Sequence, residues 1–249
     1  MATARTTTAR RWFWGLGIST ATALAAFGVA GWQVHAAPPA PAATPGAAVD
    51  PPRVSDPSPA PEPAAGTGSD PLTTGEIAEA RTAALSPLLA AGARDVTGAA
   101  GPEYLSGEPA ADSAVRRAEL YYYDYRTDTL VKQIVDLATG ELTGSYAATG
   151  LQPPATAREV DTALGLVLAG PYAADLRDRY ARGTGRALAG RQDLVVTAHV
   201  HRARPADTAA RRCGAHRCLR LVVQAAGGPF IDLDDIIIDL SGRTVVRVK

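Results

Sequence analysis

From residue 72 onward, apolar positions recur first at helical spacing and then in alternation, and the chain runs through that succession twice. Thr73-Thr74-Gly75-Glu76 sets Thr and Glu three apart, the reciprocal pairing of a capping box. It predicts a helix to about Ala90, kinked or shortened by Pro87. Residues 92–113 are rich in Gly and Pro and support one short strand around Tyr104-Leu105. Strands are then predicted over Ala118–Tyr125, Leu130–Leu137 and Glu141–Ala148, joined by the turn sequences Arg126-Thr127-Asp128-Thr129 and Ala138-Thr139-Gly140. A second capping box, Thr156-Ala157-Arg158-Glu159, opens a helix to about Ala169, which Gly170-Pro171 breaks before a shorter amphipathic helix over Tyr172–Ala181. Four strands follow, over Asp193–Arg202, Cys218–Ala225, Phe230–Leu240 and Thr244–Val248.

The two passes share wording. Glu76-Ile77-Ala78-Glu79-Ala80 parallels Glu159-Val160-Asp161-Thr162-Ala163, and Ile134-Val135-Asp136-Leu137-Ala138-Thr139-Gly140 returns as Ile237-Ile238-Asp239-Leu240-Ser241-Gly242. This predicts an α+β protein with an internal duplication: two tandem subdomains, residues 72–152 and 153–249, each an antiparallel sheet packed on a helix. The repeated Asp-Leu turns need no function, because Asp bonds nearby backbone N–H groups and Gly accepts positive φ.

The first 71 residues have a different character. Residues 1–11 carry Arg5, Arg10 and Arg11 and no acid, residues 12–34 carry no charge, and Val34-His35-Ala36 suits a signal peptidase. Arg10-Arg11-Trp12-Phe13 resembles a twin-arginine export signal. Residues 1–36 are therefore read as an export signal, with an uncleaved anchor as the alternative, since the apolar run is long enough to span a bilayer. Either way the remainder is exported, to the cell envelope or beyond, and touches membrane only through that segment. Residues 37–71 hold eleven prolines among Ala, Gly, Ser and Thr, and are expected to form an extended, disordered tether.

With 25 basic and 25 acidic residues, the chain has no electrostatic excess to draw it to nucleic acid. All three Trp lie before residue 35, so the folded part must build its core mostly from Leu, Val, Ile and Ala.

Several constellations could carry chemistry. Cys213 and Cys218, five apart in an exported chain, point to a disulfide closing a hairpin loop; free thiols or metal ligands are the alternatives. His199 and His201 share one face of a strand and His216 the matching face of the next, so the three could converge on copper or zinc. The competing reading is three separate histidines among Arg202, Arg204, Arg211, Arg212 and Arg217, a setting hostile to a cation. Tyr121, Tyr123 and Tyr125 alternate with Tyr122 along one strand, as core packing or as an exposed binding face. Asp232, Asp234, Asp235 and Asp239 lack calcium-loop spacing and read as a solvated face. Neither a Gly-x-Ser-x-Gly elbow nor a phosphate loop nor a His-Glu-x-x-His motif occurs.

The order of certain short pieces resembles the paired small α+β domains, cystatin-like in shape, that precede the catalytic domain of copper amine oxidases. The pieces are Asp70-Pro71-Leu72-Thr73-Thr74-Gly75-Glu76-Ile77, then Gln133-Ile134-Val135-Asp136-Leu137-Ala138-Thr139-Gly140, then Gly150-Leu151-Gln152-Pro153-Pro154 ahead of Glu159. Ile236–Val248 is similar to the strand-turn-strand closing the second such domain, so the resemblance spans roughly residues 70–249. It implies the fold and withholds the chemistry. The family's quinone arises from a Tyr within Asn-Tyr-Asp/Glu, whereas this chain contains no Asn and Tyr123-Asp124 follows Tyr122. The resemblance puts the end of this chain where the copper-binding sandwich would begin, so no active-site residue carries over. The expectation is a non-enzymatic module without a cofactor that binds a protein partner; the alternative is a copper- or zinc-handling accessory protein using His199, His201 and His216.

Overall fold

The computed structural model describes residues 61–111 and 115–248. The export segment and the linker as far as residue 60 lie outside them. Among the described residues no helix is long and apolar enough to cross a membrane.

The first half begins with α1 (Thr74–Ala84), capped as its sequence requires: Glu76 N donates to Thr73 Oγ1 at 3.1 Å, and Thr73 N to Glu76 Oε2 at 2.9 Å. The run to Ala90 is two helices where one kinked helix was expected. Pro87 has no N–H for the ladder and disfavours helical backbone before it, so Ser86 caps a separate α2 (Pro87–Gly92), accepting from Leu89 N at 3.2 Å. Strands β1 (Glu103–Pro109), β2 (Arg117–Asp124), β3 (Thr129–Asp136) and β4 (Leu142–Thr149) form an antiparallel meander in that order. β1 is longer than its sequence suggests because Gly107, which weakens the pattern, serves contact. A Cβ there would lie 2.8 Å from Leu120 Cδ2 on β2.

The second half repeats the plan. Helices α3 (Ala157–Ala169) and α4 (Ala173–Thr184) precede β5 (Leu194–Val200), β6 (Cys218–Ala225), β8 (Ile236–Asp239) and β9 (Thr244–Arg247), which pair in the order β5-β6-β8-β9; the short β7 (Phe230–Ile231) also pairs with β6. The strand expected over Phe230–Leu240 is split. Asp234 N donates to Asp232 Oδ1 at 3.0 Å and Ile236 N to Leu233 O at 2.9 Å, turning the chain between β7 and β8.

The first sheet is buried on both faces along β2. One face sets Leu120, Tyr122 and Val135 against Ala80 and Ala84 of α1. The other sends Tyr123 and Tyr125 into the larger core, with Leu164 and Val167 of α3, Leu176 and Tyr180 of α4, and Leu219, Leu221, Ile236 and Ile238 of the second sheet. Each fully buried aliphatic side chain contributes about 2 kcal/mol of transfer free energy. The halves are also joined by polar contacts. Arg158 of α3 reaches Asp95 at 2.5 Å and Glu103 at 3.0 Å, and Arg243 donates to Val96 O at 3.0 Å.

The duplication extends to individual bonds. Arg116 stands just before β2 and Arg217 just before β6. Leu137 N donates to Arg116 O at 3.1 Å, and Leu240 N to Arg217 O at 3.0 Å. Each arginine pairs with the glutamate of its own half's capping box, Arg116 with Glu76 at 2.7 Å and Arg217 with Glu159 at 2.9 Å. Each also holds the proline-containing segment that enters the helix: Arg116 donates to Gly68 O, Asp70 O and Pro71 O, and Arg217 to Pro153 O and Pro154 O. Residues 62–71, expected to belong to a free tether, are therefore tied to α1 by Arg116, with Glu62 Oε1 accepting from Thr74 N at 2.8 Å. Composition signals solvation there, but it does not show a guanidinium supplied 45 residues downstream.

Candidate functional site

The chain between β5 and β6 is a long loop whose final stretch is closed into a ring by the Cys213–Cys218 disulfide, with Cα atoms 5.4 Å apart. Inside that ring Gly214, at φ 113°, turns the backbone so that its N–H donates to His216 O at 3.0 Å. The ring sends two adjacent side chains to different places. Arg217 goes inward, wholly buried, and His216 sits at the seam between the halves with Nδ1 2.8 Å from Asp239 Oδ2 and Nε2 3.9 Å from Asp128 Oδ2. Asp128 also accepts from Tyr123 Oη at 3.2 Å and from Ser241 Oγ. The Ser241 hydroxyl, which accepts from Arg217 N, is engaged in joining the halves.

The three histidines do not assemble. His199 is exposed on the outer face of β5, opposite Arg220 of β6. His201 lies past the strand end and is buried, contrary to the outer-face position expected for it; the loop that follows returns to Cys213, whose carbonyl accepts from Ala203 N at 3.0 Å, and sets Asp207 beside the imidazole. Its Nε2 is 3.4 Å from Asp207 Oδ2 without hydrogen-bond geometry. Burial holds the His201 imidazole below its ordinary pKa, and the neighbouring Arg220 adds to the effect. Among the described residues no group of three or more His, Cys, Asp or Glu could hold a metal ion. The copper or zinc site proposed on His199, His201 and His216 is therefore not assembled here.

His199, Val200, His201, Arg202, Arg204 and Arg220 line an open cleft at the end of this sheet. Arg202 Nη2 donates to Gly150 O at 2.8 Å, and Arg204 N and Nε reach Asp207 Oδ2 at 2.9 and 3.4 Å. Asp207, 2% exposed, lies behind His201 and outside the lining. Arg220 Nε and His201 Nε2 are both buried without a hydrogen-bond partner. Arg220 was missed in the sequence. Its one signal was parity: between the inward-facing Leu219 and Leu221 it must point out, toward the histidines of β5.

The tyrosine run is interior. Tyr122, Tyr123 and Tyr125 are buried, so they cannot form an external binding face, and only Tyr121 is half-exposed. Both faces of β2 are covered, which a single alternating pattern cannot express. Tyr125 Oη donates to Glu159 Oε1 at 2.5 Å, and the Arg217 guanidinium lies 5.3 Å from the Tyr123 ring centre. Of the aspartates, Asp235 is bound by Arg179 and Arg247, both at 2.8 Å, and Asp239 by His216.

Open surface lies elsewhere, on β4. Leu142-Thr143-Gly144-Ser145-Tyr146-Ala147-Ala148-Thr149 is an edge strand pairing only with β3, and all its residues except Gly144 are exposed. It has neither charge nor proline, the usual means by which proteins protect a sheet edge, and Tyr146 is 62% exposed.

No protein-family model matches this chain, and no curated protein matches it. Among solved structures it is similar to a copper-containing benzylamine oxidase from Hansenula polymorpha, with 12% sequence identity and a TM-score of 0.41. That match covers 73% of this chain and 29% of the oxidase chain. The chain spans less than a third of that enzyme's length.

Proposed function

We propose that this chain is an exported, non-catalytic binding module whose two subdomains, residues 72–152 and 153–249, serve as a scaffold for protein contact. The observation that carries the reading is the uncharged, proline-free edge of β4. An extended segment of a partner protein adds to it as a further antiparallel strand. Main-chain bonds supply affinity, and Tyr146 offers an apolar contact beside small residues on either side. Eight residues of strand run about 26 Å, long enough for several main-chain bonds. Because β4 carries no charge, it favours a neutral, β-prone segment over a charged one. The export reading rests on residues 1–36, and the non-catalytic reading on the missing Asn-Tyr-Asp/Glu sequence.

The test is a random-peptide display selection against the exported protein, followed by hydrogen exchange with a selected peptide bound. Support requires protection of the amides of residues 142–149 and loss of binding in Tyr146→Lys and Ala147→Lys, which place charge on both faces of the edge. Peptides that bind both variants unchanged would overturn the reading. So would a concentration-dependent dimer abolished by the same variants, which would make the occupant a second copy.

A further inference from the structure

We infer that the cleft lined by His199, His201, Arg202, Arg204 and Arg220 is a binding site for a small tetrahedral oxyanion, of the phosphate or sulfate class. Donors are in place: Arg220 Nε has no acceptor, and the carboxylate nearest His201 Nε2, Asp207 Oδ2, lies 3.4 Å away without hydrogen-bond geometry. Arg220 Nε and His201 Nε2 are both shielded from water and make no hydrogen bond. His201 is 8% exposed, so its orphaned nitrogen belongs to a side chain more than nine-tenths buried. Such a group ordinarily carries a desolvation penalty of about 1–3 kcal/mol unless a partner is supplied.

The electrostatics agree with the hydrogen-bond inventory. Three arginines line one cleft, and no acidic residue lines it with them. Asp207 is the acid nearest to His201; it is engaged by Arg204 N and Nε and does not line the cleft. Arg202 and Arg204 each spend only part of their donor set, on Gly150 O and on Asp207, while Arg220 has no hydrogen-bond or ion-pair acceptor among the described residues. An oxyanion would relieve the mutual repulsion of the arginines. It would also accept from Arg220 and from the His201 imidazole, which is the pairing guanidinium geometry favours. The same arrangement repels a divalent cation. The site and the β4 edge share no residue, and each proposal is tested by its own variants.

Isothermal titration of the exported protein at low ionic strength tests this, with inorganic phosphate, sulfate, glycerol 3-phosphate and, as a control, chloride. The expected result is one saturable site for the oxyanions and none for chloride. Affinity should fall about tenfold or more in Arg220→Gln and again in His201→Gln, while Arg186→Gln, an exposed arginine elsewhere, leaves it unchanged. Tighter binding of glycerol 3-phosphate than of inorganic phosphate would identify a phosphate ester as the natural source; the reverse order would identify the free anion. Vesicles of phosphatidylglycerol set against phosphatidylcholine separate these from a lipid surface. Binding to the anionic vesicles alone would overturn the inference. So would the absence of saturable oxyanion binding at millimolar concentration, or binding that persists in Arg220→Gln. Arg220 is only partly buried on an outer sheet face, so that variant keeps the test meaningful even if His201→Gln unfolds.

Discussion

Arg217 occupies in the second half the position that Arg116 occupies in the first, and the two ion pairs differ mainly in burial. The Arg217 and Glu159 side chains are 0% exposed, whereas those of Arg116 and Glu76 are 16% and 8% exposed. The first half supplies the difference, because Tyr123 and Tyr125 close over the second pair. One motif has thus become a surface clasp in one copy and an interior joint in the other.

Removing one partner of the interior joint should be severe. Arg217→Met leaves Glu159 as an uncompensated buried charge and should cost about 3–5 kcal/mol, whereas Arg116→Met should cost about 1 kcal/mol. Urea unfolding midpoints at unchanged m-value measure both. Combining Arg217→Met with Glu159→Gln should recover part of the loss, since the orphaned charge is then gone. Equal costs for the two arginine variants would contradict the difference in burial.

The surface clasp should appear in the acid limb of stability. The hydrogen bond from Arg116, with those from Thr73 N and Gly66 N, holds the Glu76 carboxyl at about 2 against its ordinary 4.5. A depressed carboxyl stabilises the fold at pH above its unfolded value, and that contribution is lost as pH falls from 4.5 toward 2. Glu76→Gln should remove on the order of 1–2 kcal/mol from stability at neutral pH, after allowance for screening near the surface, and flatten the profile in that window. Thermal melts from pH 6 to about 2 check it.

The ring closed by Cys213 and Cys218 spans five positions, and the loop-entropy relation assigns it about 2 kcal/mol. Cys213→Ala/Cys218→Ala should lower stability by that order. It should also loosen the Arg217 clasp, visible as faster exchange of the Leu240 amide that bonds Arg217 O. Intact mass of the native protein should be two hydrogens below the reduced value.

Tyr122 is 1% exposed and its hydroxyl has no hydrogen-bond partner; burial pushes its pKa up to about 12. Tyr122→Phe removes the unsatisfied group without changing the packing against α1, so it should be neutral or stabilising by up to about 1 kcal/mol. Tyr122→Ala should instead cost about 3–5 kcal/mol through the cavity it opens. Calorimetric melting of the two variants separates them.

The local sequence determined the elements. Two capping boxes set the helix starts at Thr73 and Thr156, alternation marks most strands, and the shared Asp-Leu turns mark the duplication. These features act within a few residues through hydrogen bonds and backbone preference, so they are written in consecutive positions. Cys213–Cys218 was legible for the same reason, since the pair is close along the chain. The tertiary structure alone decided which faces meet. Both sides of β2 are covered because the second half packs against the first, which turned the tyrosine run inward. His201 and His216 separated because the loop between them bends one toward Asp207 and the other toward Asp239. The clasp from Arg217 to Glu159 spans 58 positions, and the seam from Asp128 to Ser241 spans 113. Contacts at such separation depend on how two sheets stack, and no local pattern in the chain encodes that.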